Sequence, residues 1–98
     1  MKYEYELIKT ANQMFNTNIG ENNFEFRFRT FRGLTYVDLK INGERASASV
    51  KALPNTSIFH DNINEIAGGK FMFECQTDDY PHYENFDGVS CRFVFIED

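Results

Sequence analysis

NFEFRFRTFRGLTYVDLKI, residues 23–41, states a strand period and a hairpin within one stretch. Phe24, Phe26 and Phe28 alternate with Glu25, Arg27 and Arg29. Successive side chains of an extended chain point to opposite faces, so one face is aromatic and the other charged. Thr30-Phe31-Arg32-Gly33 is a turn candidate, because its glycine takes positive φ without a Cβ clash. Thr35 to Ile41 then resumes as a β-prone run with Val37, Leu39 and Ile41 on one side. The stretch reads as an antiparallel hairpin with one buried face and one wet face.

Working outward, Asn42-Gly43 follows Ile41 directly and favours the type I′ turn that joins antiparallel strands with the correct twist. The return strand, Glu44 to Leu53, is expected to turn Ala46, Ala48, Val50 and Ala52 inward, opposite Arg45, Ser47, Ser49 and Lys51. Those small residues would leave room for phenylalanines from neighbouring strands, and Pro54 ends the run. On the other side, Gly20 to Asn23 reads as a turn, and Gln13 to Ile19 as a strand with Phe15, Thr17 and Ile19 on one face. Tyr3, Tyr5 and Leu7, alternating with Glu4, Glu6 and Ile8, give a first strand suited to a sheet edge.

Beyond Pro54 the period changes. Ile58, Phe59, Asn62, Ile63 and Ile66 fall near one helical face, but the segment is short and rich in Asn and Asp. A helical turn and an irregular loop pinned by Ile58, Phe59 and Ile63 are both compatible with it. Gly68-Gly69 closes the segment, and Lys70 to Gln76 alternates again with Phe71, Phe73 and Cys75 inward. Thr77 to Gly88 is a long polar loop carrying Tyr80, His82, Tyr83 and Phe86. Ser90 to Ile96 is the closing strand, with Cys91, Phe93 and Phe95 opposite Arg92, Val94 and Ile96. The expectation is an all-β fold, a small antiparallel barrel or sandwich of about seven short strands, with residues 1–98 forming a single domain.

Composition agrees with a folded domain. The 98 residues are 42% hydrophobic and 16% aromatic, enough for a core of large side chains. A net charge of −5 argues against a general nucleic-acid binder, since neutralising phosphates needs a basic surface, though a local basic patch is compatible. Cys75 and Cys91 have no metal-ligand spacing and are expected to be reduced thiols packed as small hydrophobes. MKYEYELIK lacks the apolar stretch of a signal peptide, and no run approaches the roughly 18–20 residues that span a bilayer, so a soluble protein without membrane contact is expected.

Candidate chemistry is sparse. His60-Asp61 and the Asp78 to His82 segment hold both histidines, without HExxH or a histidine-carboxylate cluster, and read as solvated loops. Asp78, Asp79, Glu84 and Asp87 lack EF-hand spacing, and Pro81 interrupts any simple ligand loop, so no metal is expected. FEFRFRTFR invites a nucleic-acid reading, but base stacking needs aromatic and basic groups on one exposed face, and alternation separates them. No GxSxG or phosphate-cradling glycine loop is present, so catalysis by a nucleophile has no support. A single-stranded nucleic-acid-binding β-barrel module is the alternative to a structural role. In the long loop, Tyr83 and Phe86 are expected to fold back over the core, leaving Tyr80 and His82 exposed for partner contact.

Several pieces carry a family resemblance: Ala11-Asn12-Gln13-Met14-Phe15; Phe26 to Arg29 leading through Arg32 to Leu39; Leu53-Pro54-Asn55; Asp78 through Pro81 to Tyr83 and Phe86; and Arg92 to Phe95. Together they resemble the small baseplate plug proteins of contractile-tailed phages, the family typified by the cyanophage baseplate plug. The segment Thr56 to Ile66 lies outside the resemblance. What the resemblance implies is a non-enzymatic virion or prophage component, assembled in the host cytoplasm and packed in the tail baseplate near the end of the tube. It implies tail proteins such as hub, tube or spike as partners and no cofactor, with a homo-oligomer in the particle left open.

Overall fold

The computed structural model describes residues 1–77 and 79–98. These form strands β1 (Lys2–Tyr5), β2 (Asn12–Ile19), β3 (Asn22–Phe31), β4 (Leu34–Ile41) and β5 (Glu44–Lys51), helix α1 (Asp61–Ala67), and strands β6 (Gly69–Cys75) and β7 (Cys91–Glu97). A single 3-10 turn, Tyr83–Asn85, interrupts the connection between β6 and β7. The strands make two antiparallel sheets, ordered β1-β7-β6 and β2-β3-β4-β5. This is the expected all-β architecture of seven strands.

The central hairpin forms as its period demands. Phe24 faces Ile41 and Phe31 faces Leu34 in register, with Arg32 and Gly33 both at positive φ, 53° and 76°. Positive φ at both central positions makes a two-residue turn whose twist matches the flanking strands. Asn42 and Gly43 do the same before β5, at 54° and 84°. The Asn42 side chain adds a clamp by accepting from the Asn23 backbone N–H at 2.8 Å and donating to Asn22 Oδ1 at 2.9 Å.

Between the sheets, Phe24, Phe26 and Phe28 meet Phe71, Phe73, Phe93 and Phe95, all buried. Phe26 is the hub: its ring lies edge-on to Phe71 and Phe93, at centroid distances of 4.9 and 5.2 Å. Edge-to-face packing puts the positive ring edge against the negative face, which adds to the burial of apolar area. Val94 points away from this core yet is also buried, because β7 is the middle strand and Glu4 and Met72 flank it in register.

Strand β5 departs from the expected alternation. Val37 pairs with Val50 but Leu39 pairs with Ser47, and Lys40 then pairs with Arg45, so extra residues enter β5 twice. Each bulge shifts parity, and Ser49 at φ 52° absorbs one of them. Ala46 and Ala48 are therefore exposed, while Val50 and Ala52 stay inward with Ser47 half-buried. Asp38 explains why the bulge holds: its Oδ1 accepts the Ser49 backbone N–H at 2.6 Å, replacing a lost ladder bond.

Two further boundaries differ. β1 ends at Tyr5 rather than running to Ile8, because the chain crosses from one sheet to the other there. The Gln13 side chain holds that crossing, donating to the Ile8 carbonyl at 2.7 Å and accepting from the Ile8 N–H at 3.0 Å. The 55–67 segment resolves as a loop followed by helix α1, with Ile58, Phe59 and Ile63 buried as expected. Its inner face comprises Ile63, Asn64 and Ala67, leaving Asn62 exposed and Ile66 49% exposed. The cause is upstream, where residues 54–58 lie along the open edge of β6. The Asn55 and Ile58 N–H groups bond the Phe73 and Phe71 carbonyls, which sets the direction from which the helix starts.

β6 is thus covered along its outer edge. The edges of β1 and β2 instead face each other across a slot of about 320 Å³ lined by Tyr3, Tyr5, Thr17 and Ile19. The Tyr5 ring that lines it packs against Phe15 at 5.4 Å, which joins the two sheets there.

Candidate functional site

The connection between β6 and β7 carries Tyr80 and His82, and its position depends on one buried bond. Thr35 of β4 is 0% exposed, and its hydroxyl donates to the Pro81 carbonyl at 2.7 Å while sharing a hydrogen bond with the Thr30 hydroxyl at 3.1 Å. A proline carbonyl buried without a donor would cost free energy, so the pairing nails the loop to the four-stranded sheet. Pro81 is itself fully buried. Tyr80 before it is 44% exposed and His82 after it is half-buried. Phe86 folds back onto Phe73, with stacked rings 5.4 Å apart, and Tyr83 packs partly against the core. The loop divides as its residues suggest, although His82 is less open than Tyr80.

Strand directions bring other connections to the same end. The crossing from β1 to β2, the β3–β4 turn and the chain after β5 all meet the β6–β7 loop there, as the Thr35–Pro81 bond and a Lys51 contact to Tyr80 show. Exposed apolar side chains concentrate on these connections: Ile8, Phe31, Leu53 and Val89 join Tyr80. Phe31, 62% exposed, is the largest of them and was not among the contact candidates read from sequence. Its signal was present in the alternation, which runs Phe24, Phe26, Phe28 and then breaks parity at Phe31. Both exposed rings carry a cation on one face, Arg32 over Phe31 at 5.1 Å and Lys51 over Tyr80 at 5.3 Å. Such contacts hold an exposed ring in place at little cost and leave its other face free for contact.

The remaining candidates do not converge. His60 precedes α1 and His82 precedes the 3-10 turn, on separate connections. Asp79 accepts the Thr77 hydroxyl at 2.9 Å. Asp87 accepts the backbone N–H groups of Val89 and Ser90, at 2.8 and 2.6 Å, and the Ser90 hydroxyl at 2.9 Å. Those donors hold its carboxyl below the usual range. Glu84 is exposed on the 3-10 turn, and Asp78, the fourth carboxylate considered for calcium, lies outside the described residues. Among the described residues no three His, Cys, Asp or Glu side chains group as metal ligands. No helix is long and apolar enough to cross a membrane among them either.

Phe24, Phe26 and Phe28 lie beneath the four-stranded sheet and Arg27 and Arg29 above it, so the stacking platform of a single-strand binder is missing from this face.

A family model described as cyanophage baseplate Pam3 plug gp18 matches residues 3–98, including the 56–66 segment that the motif likeness left out. No curated protein matches the chain.

Proposed function

Because the chain belongs to the family of cyanophage baseplate Pam3 plug gp18, we propose that it is a non-enzymatic structural component of a contractile phage or prophage tail, seated in the baseplate as a plug. The observation that carries this reading is the extent of the match, which spans both sheets and every loop at the exposed end. The protein is made in the host cytoplasm, acts as a single domain, needs no cofactor, and is carried in the virion against hub, tube or spike proteins. Its contacts come from the loop end, where Tyr80 and His82 flank the buried Pro81 and Phe31 presents a second ring. An anchored aromatic beside a rigid attachment point binds with little ordering cost, which suits a contact meant to persist in an assembled particle.

The test is assembly. Tyr80→Ala combined with His82→Ala should leave the unfolding temperature nearly unchanged while reducing incorporation into purified tails, because both side chains sit outside the aromatic core. Incorporation equal to wild type would remove this loop from the interface. Absence of the wild-type protein from purified tail particles would overturn the functional reading itself.

A further inference from the structure

The two sheets use their cations differently. On the outer face of β1-β7-β6, Glu74 pairs with both Lys2 and Arg92 at 2.9 Å, and Arg92 also reaches Glu4 at 3.4 Å. On the outer face of β2–β5, a groove of about 590 Å³ is floored by Glu25, Arg27 and Arg29 of β3 and Asp38 and Lys40 of β4. Met14 rims one side, and Arg45 with residues 47–49 of the bulged β5 walls the other. Four cations meet two carboxylates there, in a chain whose net charge is −5.

One of those carboxylates is already committed. Asp38 Oδ1 accepts the Ser49 N–H that holds the bulge and receives Arg29 at 3.4 Å. Among the described residues Arg27, Lys40 and Arg45 enter no ion pair. Arg29 Nε is buried in the sheet surface with no acceptor. Lys40 and Arg45 are direct cross-strand partners, and like charges placed opposite one another destabilise a sheet. Glu25, the partner of Lys40 on β3, offsets this only in part, because four cations face two carboxylates. A fold that tolerates such a pair beside a concave wall gains when an anion enters between them.

From this we infer that the groove receives an extended, acidic segment of a neighbouring protein, with carboxylates at alternate positions. The spacing argues for that form: Arg27 and Arg29 are two residues apart on one strand, about 7 Å, which is also the separation of alternate side chains on an extended partner. Ala48 and Ser47 on the wall are small enough to admit a backbone, and Met14 on the rim offers an apolar contact for the intervening side chains. A peptide fits better than a single-stranded nucleic acid, because the phenylalanines that could stack on bases are beneath the sheet. The inference rests on the tail-component reading only for where the neighbour is met.

Titration of the purified full-length protein with a fluorescent peptide of alternating glutamate and threonine tests it. Binding that weakens with added salt is expected, and R27E/R45E should lower the affinity on the order of tenfold or more while keeping the unfolding temperature. R27Q/R45Q serves the same purpose if charge reversal disturbs folding. No binding, equal binding by these variants, or preference for an oligothymidylate of the same length would overturn the inference. Absence of the wild-type protein from tail particles tells against the tail reading alone, since the titration reads the groove by itself.

Discussion

The Thr35 hydroxyl and the Pro81 carbonyl, 46 residues apart in sequence, meet at 2.7 Å inside the protein and tie the β6–β7 loop to the opposite sheet. Thr35→Val keeps the shape and removes the donor, leaving a buried acceptor unsatisfied. A loss of about 1–3 kcal/mol follows, visible as a lower denaturant midpoint and faster proteolysis between residues 77 and 90. An unchanged midpoint would show that the loop is held by Phe86 alone.

Phe26→Ala removes the ring at the meeting of both sheets, where Phe71 and Phe93 pack edge-on against it. The expected cost is about 3–5 kcal/mol, a large share of the roughly 5–15 kcal/mol of a typical domain. Thermal unfolding should drop accordingly. A shift within the range of surface substitutions would contradict the packing described.

Adjacent glycines predict opposite responses. A Cβ at Gly69 would strike the Ile96 carbonyl and lie 2.9 Å from the Glu97 Cα, both backbone positions that cannot yield cheaply. Gly68 ends α1 at φ 76° and faces open space, so its need is conformational only. Gly69→Ala should destabilise by about 1–3 kcal/mol, whereas Gly68→Asn, which tolerates the left-handed region, should cost less. The reverse order in urea melts would refute this assignment.

Cys75 and Cys91 face each other across β6 and β7 with their sulfurs in contact and are free thiols. Burial pushes both above the ordinary thiol value, and for Cys75 the adjoining sulfur adds to the effect. Unfolded, unreduced protein should titrate two thiols; a count of zero would contradict the pairing of reduced side chains. The unfolded chain loses these protons first, so stability present below about pH 8.5 should decline as pH rises above it. C75A/C91A should flatten that decline in midpoints measured from neutral to alkaline pH.

Alternation located β3, β4 and β6 because each has bulky apolar residues on one face and mostly polar ones on the other, and it located β7 through Cys91, Phe93 and Phe95 on one face. It misplaced β5 because Ala and Ser differ little in how they partition between core and water, so two bulges left no trace in the residue order. The long loop announced itself through its polar rings, and Tyr80 fell where its surroundings suggested. What fastens that loop was hidden, since a threonine at an inward strand position signals only that some partner exists. The cationic groove was hidden for a related reason. Its cations come from three strands and become neighbours only through register.

The edges of the sheets carry a consequence for behaviour at high concentration. Residues 54–58 occupy the edge of β6, the bulges distort that of β5, and β1 and β2 turn theirs toward one another across a narrow slot. The β5 and β6 edges thus offer no straight template for another strand, and β1 and part of β2 are opposed to one another. Raising the concentration of the protein therefore should not by itself drive growth by strand addition.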